Sequence, residues 1–117
     1  MLLREGGGMS ATERRKGATG ELEVVSILKE AGWPHARRTH DGREQALRGD
    51  VANGPAGVHL EVKRSERTSI WDWYGQADSD AGATQTPVVV FRRSRSPWLA
   101  LIELDELLPL LKLRESA

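Results

Sequence analysis

The tetrapeptide Leu60-Glu61-Val62-Lys63 alternates apolar and charged side chains with the period of a β-strand. Residues two apart on a strand share a face, separated by roughly 6.6 Å at about 3.3 Å per residue. Leu60 and Val62 then point into a core, and Glu61 and Lys63 stand together on the other side. Asp50 opens an earlier short extended stretch, and Asn53-Gly54-Pro55 turns the chain between the two. The spacing predicts a hairpin that sets Asp50 beside Glu61, so that two carboxylates and an amine converge on one point of a sheet.

A chain of 117 residues has length for one domain and one core. Residues 1–11, with Gly6-Gly7-Gly8 and no periodicity, read as a flexible tail in which Met9 is an alternative start; residues 12–117 read as the single domain. The absence of Cys excludes disulfides, thiolate-bound zinc and a thiolate nucleophile. No apolar run approaches the ~20 residues of a membrane helix, and there is no signal-peptide apolar core. The expectation is a soluble cytoplasmic protein without a membrane partner, in the host cytoplasm if phage-encoded.

The formal net charge is zero, which by itself argues against phosphate binding. The distribution is uneven, however. Basic residues gather at Arg14-Arg15-Lys16, at Arg37-Arg38 with Arg43 and Arg48, at Lys63-Arg64 with Arg67, and at Arg92-Arg93 with Arg95, while acids gather in 72–80 and 103–106. Arg outnumbers Lys thirteen to four. The planar guanidinium suits phosphate recognition, although an arginine-rich codon bias accounts for the same excess.

Apolar residues at helical spacing predict a helix over 12–31, ended by Gly32. Glu21 falls on its apolar stripe with Val24, Val25 and Leu28, whereas Glu23, Ser26 and Glu30 form the solvated face. A carboxylate there either reaches back to water or needs a partner, and a metal ion is one such partner. Gly17 and Gly20 in the same stretch indicate a frayed turn or a close approach, for which a DNA backbone is one candidate. Strands are expected at 33–39, 49–52 and 57–64. A second helix is expected from Ser69 to near Gly82, opened by a Ser69/Asp72 capping box. Two more strands at 87–91 and 98–104 lead to a leucine-rich helix capped by Asp105 and bent at Pro109. The order αβββαββα is that of an α/β domain.

Asp50 and Glu61 offer the oxygen ligands that a hard divalent cation takes, and Glu21 supplies a third carboxylate for a second ion. Lys63 then orients the attacking water or neutralises developing charge. The chemistry suggested is phosphodiester hydrolysis by in-line attack of water. A lone Glu-x-Lys is equally an exposed ion pair worth well under about 1 kcal/mol, so the weight lies on the combination. His35, His40 and His59 lack metal-ligand spacing and read as structural or DNA-facing.

Arg15-Lys16-Gly17-Ala18-Thr19-Gly20-Glu21, Leu28-Lys29-Glu30-Ala31-Gly32-Trp33, Arg38, Gly49-Asp50-Val51 and Leu60-Glu61-Val62-Lys63-Arg64-Ser65 together resemble the PD-(D/E)XK nuclease superfamily. Within it they are most similar to the archaeal-type Holliday junction resolvases that also occur in phages, over roughly residues 13–107. The resemblance implies a restriction-endonuclease-like central mixed sheet flanked by helices. It implies Glu21, Asp50, Glu61 and the Val62 carbonyl as ligands of Mg²⁺, with Mn²⁺ able to substitute, Lys63 as catalytic lysine, and Gln76 near the site. It also implies DNA contacts from Arg14, Arg15, Lys16, Arg38, His40, Arg43 and Arg64. Two departures stand out: Gly49 replaces the proline of the superfamily name, and the loop before Asp50 carries His40, Asp41 and Arg43 instead of a serine-rich segment. Symmetric nicking of a four-way junction calls for two sites related by a two-fold axis, hence a homodimer. Trp71, Trp73, Tyr74, Trp98 and the last helix offer apolar material for one. A nuclease with another substrate, restriction-like, flap or repair, and a catalytically silent DNA-binding module are the alternatives.

Overall fold

The computed structural model describes residues 11–39 and 50–117. The elements run α1 (Ala11–Ala31), β1 (Arg37–Arg38), β2 (Val51–Ala52), β3 (Val58–Arg64), α2 (Ile70–Asp80), β4 (Thr86–Arg92), β5 (Leu99–Leu101) and α3 (Leu104–Ser116). They form an α/β structure with a mixed three-stranded sheet, order β3-β4-β5, and a two-stranded antiparallel sheet of β1 and β2. The expected tail, residues 1–10, lies outside the described residues.

β3 and β4 pair in parallel, with Glu61 opposite Val89 and Lys63 opposite Phe91, and β5 returns antiparallel to β4. A parallel pair needs a long crossover, and α2 supplies it. Side-chain alternation assigns the two faces. Leu60 and Val62 are buried toward α1; Glu61, Lys63 and Phe91 face α2, where Trp73 packs on Phe91 with ring centroids 5.4 Å apart. Val24, Val25, Leu60, Val62, Ala77 and Val89 are the core of this arrangement.

α1 ends as its sequence predicts. Gly32 has φ 117°, the Trp33 N–H donates to the Leu28 carbonyl at 2.9 Å, and the Gly32 N–H donates to Lys29 at 3.3 Å. That bond pair and left-handed residue form a Schellman close. Gly20 is closely approached, but by the protein's own sheet: a Cβ there would lie 3.0 Å from the Arg64 Cβ and 3.4 Å from Trp98. The DNA backbone considered for this position is thereby replaced.

Several local expectations are corrected. The strand expected over 33–39 shrinks to Arg37–Arg38 because Trp33 is used in the helix close. The hairpin of Asp50 with Glu61 does not form as a ladder, since β2 pairs with β1. Asn53 and Gly57, at φ 61° and 75°, make a wide turn rather than a two-residue one, and a single backbone bond, Asp50 N–H to Leu60 C=O at 2.9 Å, joins the segments. The Ser69 hydroxyl donates to the Asp72 carboxylate at 3.2 Å and caps no backbone group, so the capping box is absent. Glu103, not Asp105, is the N-cap residue of α3, and that helix continues through Pro109. Glu23, about a third exposed, is not left to solvent alone: it accepts from Trp98 Nε1 at 3.1 Å and pairs with Arg92 at 3.4 Å. Leu22 and Ile27, apolar residues of α1 outside its buried stripe, are about half exposed.

Candidate active site

β3 positions two of the expected residues directly. Glu61 lies mid-strand and buried, where Leu60 and Val62 on the other face anchor it, and Lys63 follows on the same face, half-buried. Lys63 Nζ donates to Gln76 Oε1 at 3.4 Å, so α2 brings Gln76 against the lysine. Asp50 precedes β2 and is fixed twice to the edge of β3. Its N–H donates to Leu60, and its Oδ2 accepts from the Val62 N–H at 2.7 Å. The Asp50 carboxylate therefore sits beside the Glu61 position by two bonds rather than by a hairpin ladder.

Burial, and after it the charge of Asp50, push the Glu61 carboxyl above the ordinary carboxylate range; a bond from His59 and the charges of His59 and Lys63 pull the other way. Two carboxylates crowded in a desolvated place need a positive charge close by. Glu61 keeps one oxygen on His59, whose Nε2 donates to Oε1 at 2.9 Å.

Glu21 takes a different course. It is buried on α1, on the other side of the sheet, and Arg38 Nε donates to its Oε1 at 2.8 Å. The partner that its place on the apolar stripe demanded is thus supplied by β1. Glu21, Asp50 and Glu61 do not close into one group: among the described residues, the trio whose ligand atoms come within 4.8 Å of one another is His59, Glu61 and Asp80. Neither His59 nor Asp80 was a sequence candidate. His59 stands two residues before Glu61 on the same strand face, and Asp80 stands four after Gln76 on the same helix face, and those spacings were the available signals.

Of the expected DNA contacts, Arg15 is exposed at the start of α1. Lys16 Nζ lies 3.5 Å and Arg64 Nη1 3.4 Å from Glu66 Oε2, exposed pairs that cost little to open. Arg38 is engaged by Glu21. The side chain of Arg14, and all of His40 and Arg43, lie outside the described residues. Arg93 and Arg95 extend the exposed basic surface in the turn after β4, near Glu66, which accepts the Ser94 N–H and hydroxyl at 3.0 and 2.7 Å. A hollow of about 890 Å³ between the 53–58 turn, β1 and the end of α2 borders Asp80 and not Asp50, Glu61 or Lys63.

Comparison with protein-family models and with curated proteins finds no match for the sequence.

Proposed function

We propose that the chain is a Mg²⁺-dependent DNA endonuclease of the PD-(D/E)XK type, with a four-way junction as substrate. The observation that carries this reading is the Asp50 carboxylate fixed on the Val62 N–H beside a buried Glu61, with Lys63 one strand period away.

The donor set fits a hard cation: the Asp50 charge helps to raise the Glu61 carboxyl, and each carboxylate retains an oxygen outside the bonds described above. Asp50, Glu61 and the Val62 carbonyl would hold it, while Glu21, across the sheet and bonded to Arg38, stands apart from this set. Such an ion would supply Lewis-acid polarisation of the scissile phosphate and would ease the deprotonation of water. The protein's own share is positioning. Lys63, steadied by Gln76, presents its ammonium where negative charge develops on the phosphoryl oxygens. Arg15, Lys16, Arg64, Arg93 and Arg95 give DNA phosphates a basic surface leading to the edge of β3. No helix among the described residues is long and apolar enough to cross a membrane.

Cleavage of a synthetic four-way junction, a linear duplex and a flap, each with and without Mg²⁺, tests the proposal. Junction-selective, Mg²⁺-dependent nicking supports it. Mg²⁺-dependent cutting of linear or flap DNA alone keeps the nuclease and removes the junction, and binding without cleavage leaves a silent DNA-binding module.

A further inference from the structure

Four donors converge on a single carboxylate oxygen where β3 and β4 end. Glu66 Oε2 accepts from the Ser94 hydroxyl at 2.7 Å, the Ser94 N–H at 3.0 Å, Arg64 Nη1 at 3.4 Å and Lys16 Nζ at 3.5 Å. One such oxygen offers about two lone-pair directions, so four donors are more than it can accept well. The other oxygen, Oε1, has only the same Ser94 N–H among the described residues, at 3.4 Å.

The donors are held by the fold, whereas the acceptor is a long side chain on an irregular segment. The Ser65 N–H donates to the Arg92 C=O at 3.1 Å, which carries the β3-β4 pairing one step past its last pair and sets the two chain exits side by side. The Ser96 N–H donates to the Arg93 C=O at 3.2 Å and Arg95 has φ 63°, so the turn that presents the Ser94 N–H closes on itself. α1 is tight against Arg64 at Gly20, and Lys16 lies one helical turn earlier. Glu66 stands in the stretch 65–69, which is neither helix nor strand, and half of its side chain is exposed. Exposed ion pairs of this kind are weak as structural ties, and solvent reaches the donors.

We infer that this cluster is a phosphate-binding site in which Glu66 is an internal stand-in, and that a backbone phosphate of bound DNA displaces the Glu66 carboxylate. The identity of the ligand rests on the DNA reading above. A guanidinium, an ammonium, a hydroxyl and a backbone N–H are the donor mix that DNA phosphates take. A phosphodiester has the same single negative charge as the carboxylate, and its two non-bridging oxygens, set tetrahedrally, divide the four donors between them. Arg64 directly follows Lys63, so the cluster and the lysine lie at one end of β3 and a single DNA strand can meet both. The Ser94 hydroxyl, then the Ser94 N–H and Lys16, hold the Glu66 carboxyl at about 2, so at neutral pH the incoming phosphate has to expel a full negative charge. The exchange of one anion for another adds register to the complex more than affinity, and it penalises DNA that touches this cluster alone.

Binding of a fluorescent four-way junction and of a linear duplex, by anisotropy in Ca²⁺, tests this with the full chain and its Glu66→Ala and Glu66→Gln variants, each shown folded by far-UV circular dichroism. Both variants should bind DNA about tenfold tighter than wild type, with the slope of log K against log salt steeper by about one. Glu30→Ala, which removes an exposed acid at the far end of α1, should show neither change. Adding Ser94→Ala to Glu66→Ala alters no charge and should weaken binding about fivefold or more. Inorganic phosphate at fixed ionic strength should raise the melting midpoint of Glu66→Ala and leave wild type unmoved. Glu66 variants that bind DNA no tighter than Glu30→Ala, a gain that Ser94→Ala leaves intact, or a response to inorganic phosphate without one to DNA would overturn the inference. Cleavage is not read in these arms, so a protein that binds as expected and cuts no DNA contradicts the nuclease proposal alone.

Discussion

His59 Nε2 donates to Glu61 Oε1 across 2.9 Å, and the two side chains keep only 1% and 6% of their surface. The other ring nitrogen, Nδ1, is buried with no hydrogen-bond partner among the described residues, where the polar contact of this imidazole is with Glu61. A buried bond of this kind fixes the direction in which the second carboxylate oxygen faces. Partners behind a metal ligand commonly contribute 10–100-fold to affinity or rate (roughly). His59→Leu should therefore weaken Mn²⁺ binding and slow cleavage by about that factor, while His59→Gln, whose amide can still donate, should recover part of both. Titration calorimetry with Mn²⁺ and single-turnover cleavage check this, and equal losses in the two variants would count against a positioning role.

Glu61 also predicts a conflict between stability and activity. Its carboxyl is raised by burial and by Asp50, so without a cation the ionised form is a cost to the native state. That cost is absent below the ordinary carboxylate value and grows as pH rises through the raised one. Glu61→Gln keeps the oxygen that accepts from His59 and removes the charge. At neutral pH without metal it should melt a few degrees above wild type, yet lose cleavage by about a thousandfold or more. Thermal melts with and without Mg²⁺ decide the point, because added Mg²⁺ should raise the wild-type midpoint and leave the variant unmoved.

Two glycines of α1 should respond oppositely to the same change. Gly17 has no atom of the described residues within 4 Å of a Cβ placed on it, so Gly17→Ala should stabilise by about 0.5–1 kcal/mol through helix propensity alone. Gly20 would place its Cβ 3.0 Å from the Arg64 Cβ, an atom fixed to the β3 backbone. There Gly20→Ala should destabilise by about 1 kcal/mol or more, the crowding exceeding the propensity gain. Urea denaturation of the two variants measures both signs.

Glu66 is held at about 2, first by the Ser94 hydroxyl, next by the Ser94 N–H, and then by Lys16. A depressed carboxylate adds stability above its ordinary value of 4.5 and loses it as pH falls toward about 2. The melting difference between wild type and Glu66→Gln should hold from neutral pH to the ordinary value and vanish near the depressed one. A gap that does not change with pH would mean that Gln makes the same bonds to the turn after β4.

The chain's periodicities carried most of the architecture and the strand that bears the site. Leu60 to Lys63 alternate as read, Gly32 closes α1, and α2 lies within the span expected from Ser69 to near Gly82. The misses are long-range. β3 pairs with β4, whose residues lie 28 positions further along, and a local turn signal at 53–55 cannot report that competition. Glu21 was legible as a buried carboxylate in need of a partner, but the choice between a cation and Arg38 depends on how closely β1 approaches α1. Asp50 reached Glu61 through a side-chain bond to the Val62 N–H, a contact with no sequence period. His59 lacks the spacing of a metal ligand to the other histidines, and the two-residue step to Glu61 is the informative one.

The central claim is that Asp50 and Glu61 hold a divalent cation that cleaves DNA. Asp50→Asn keeps an oxygen that can accept from the Val62 N–H and removes the charge, so the fold should stand. The decisive measurement is Mn²⁺ binding, by calorimetry, beside Mg²⁺-dependent nicking of a four-way junction by the same preparation. The account predicts that Asp50→Asn loses both together, with DNA binding in Ca²⁺ retained. Unchanged nicking by Asp50→Asn would contradict it.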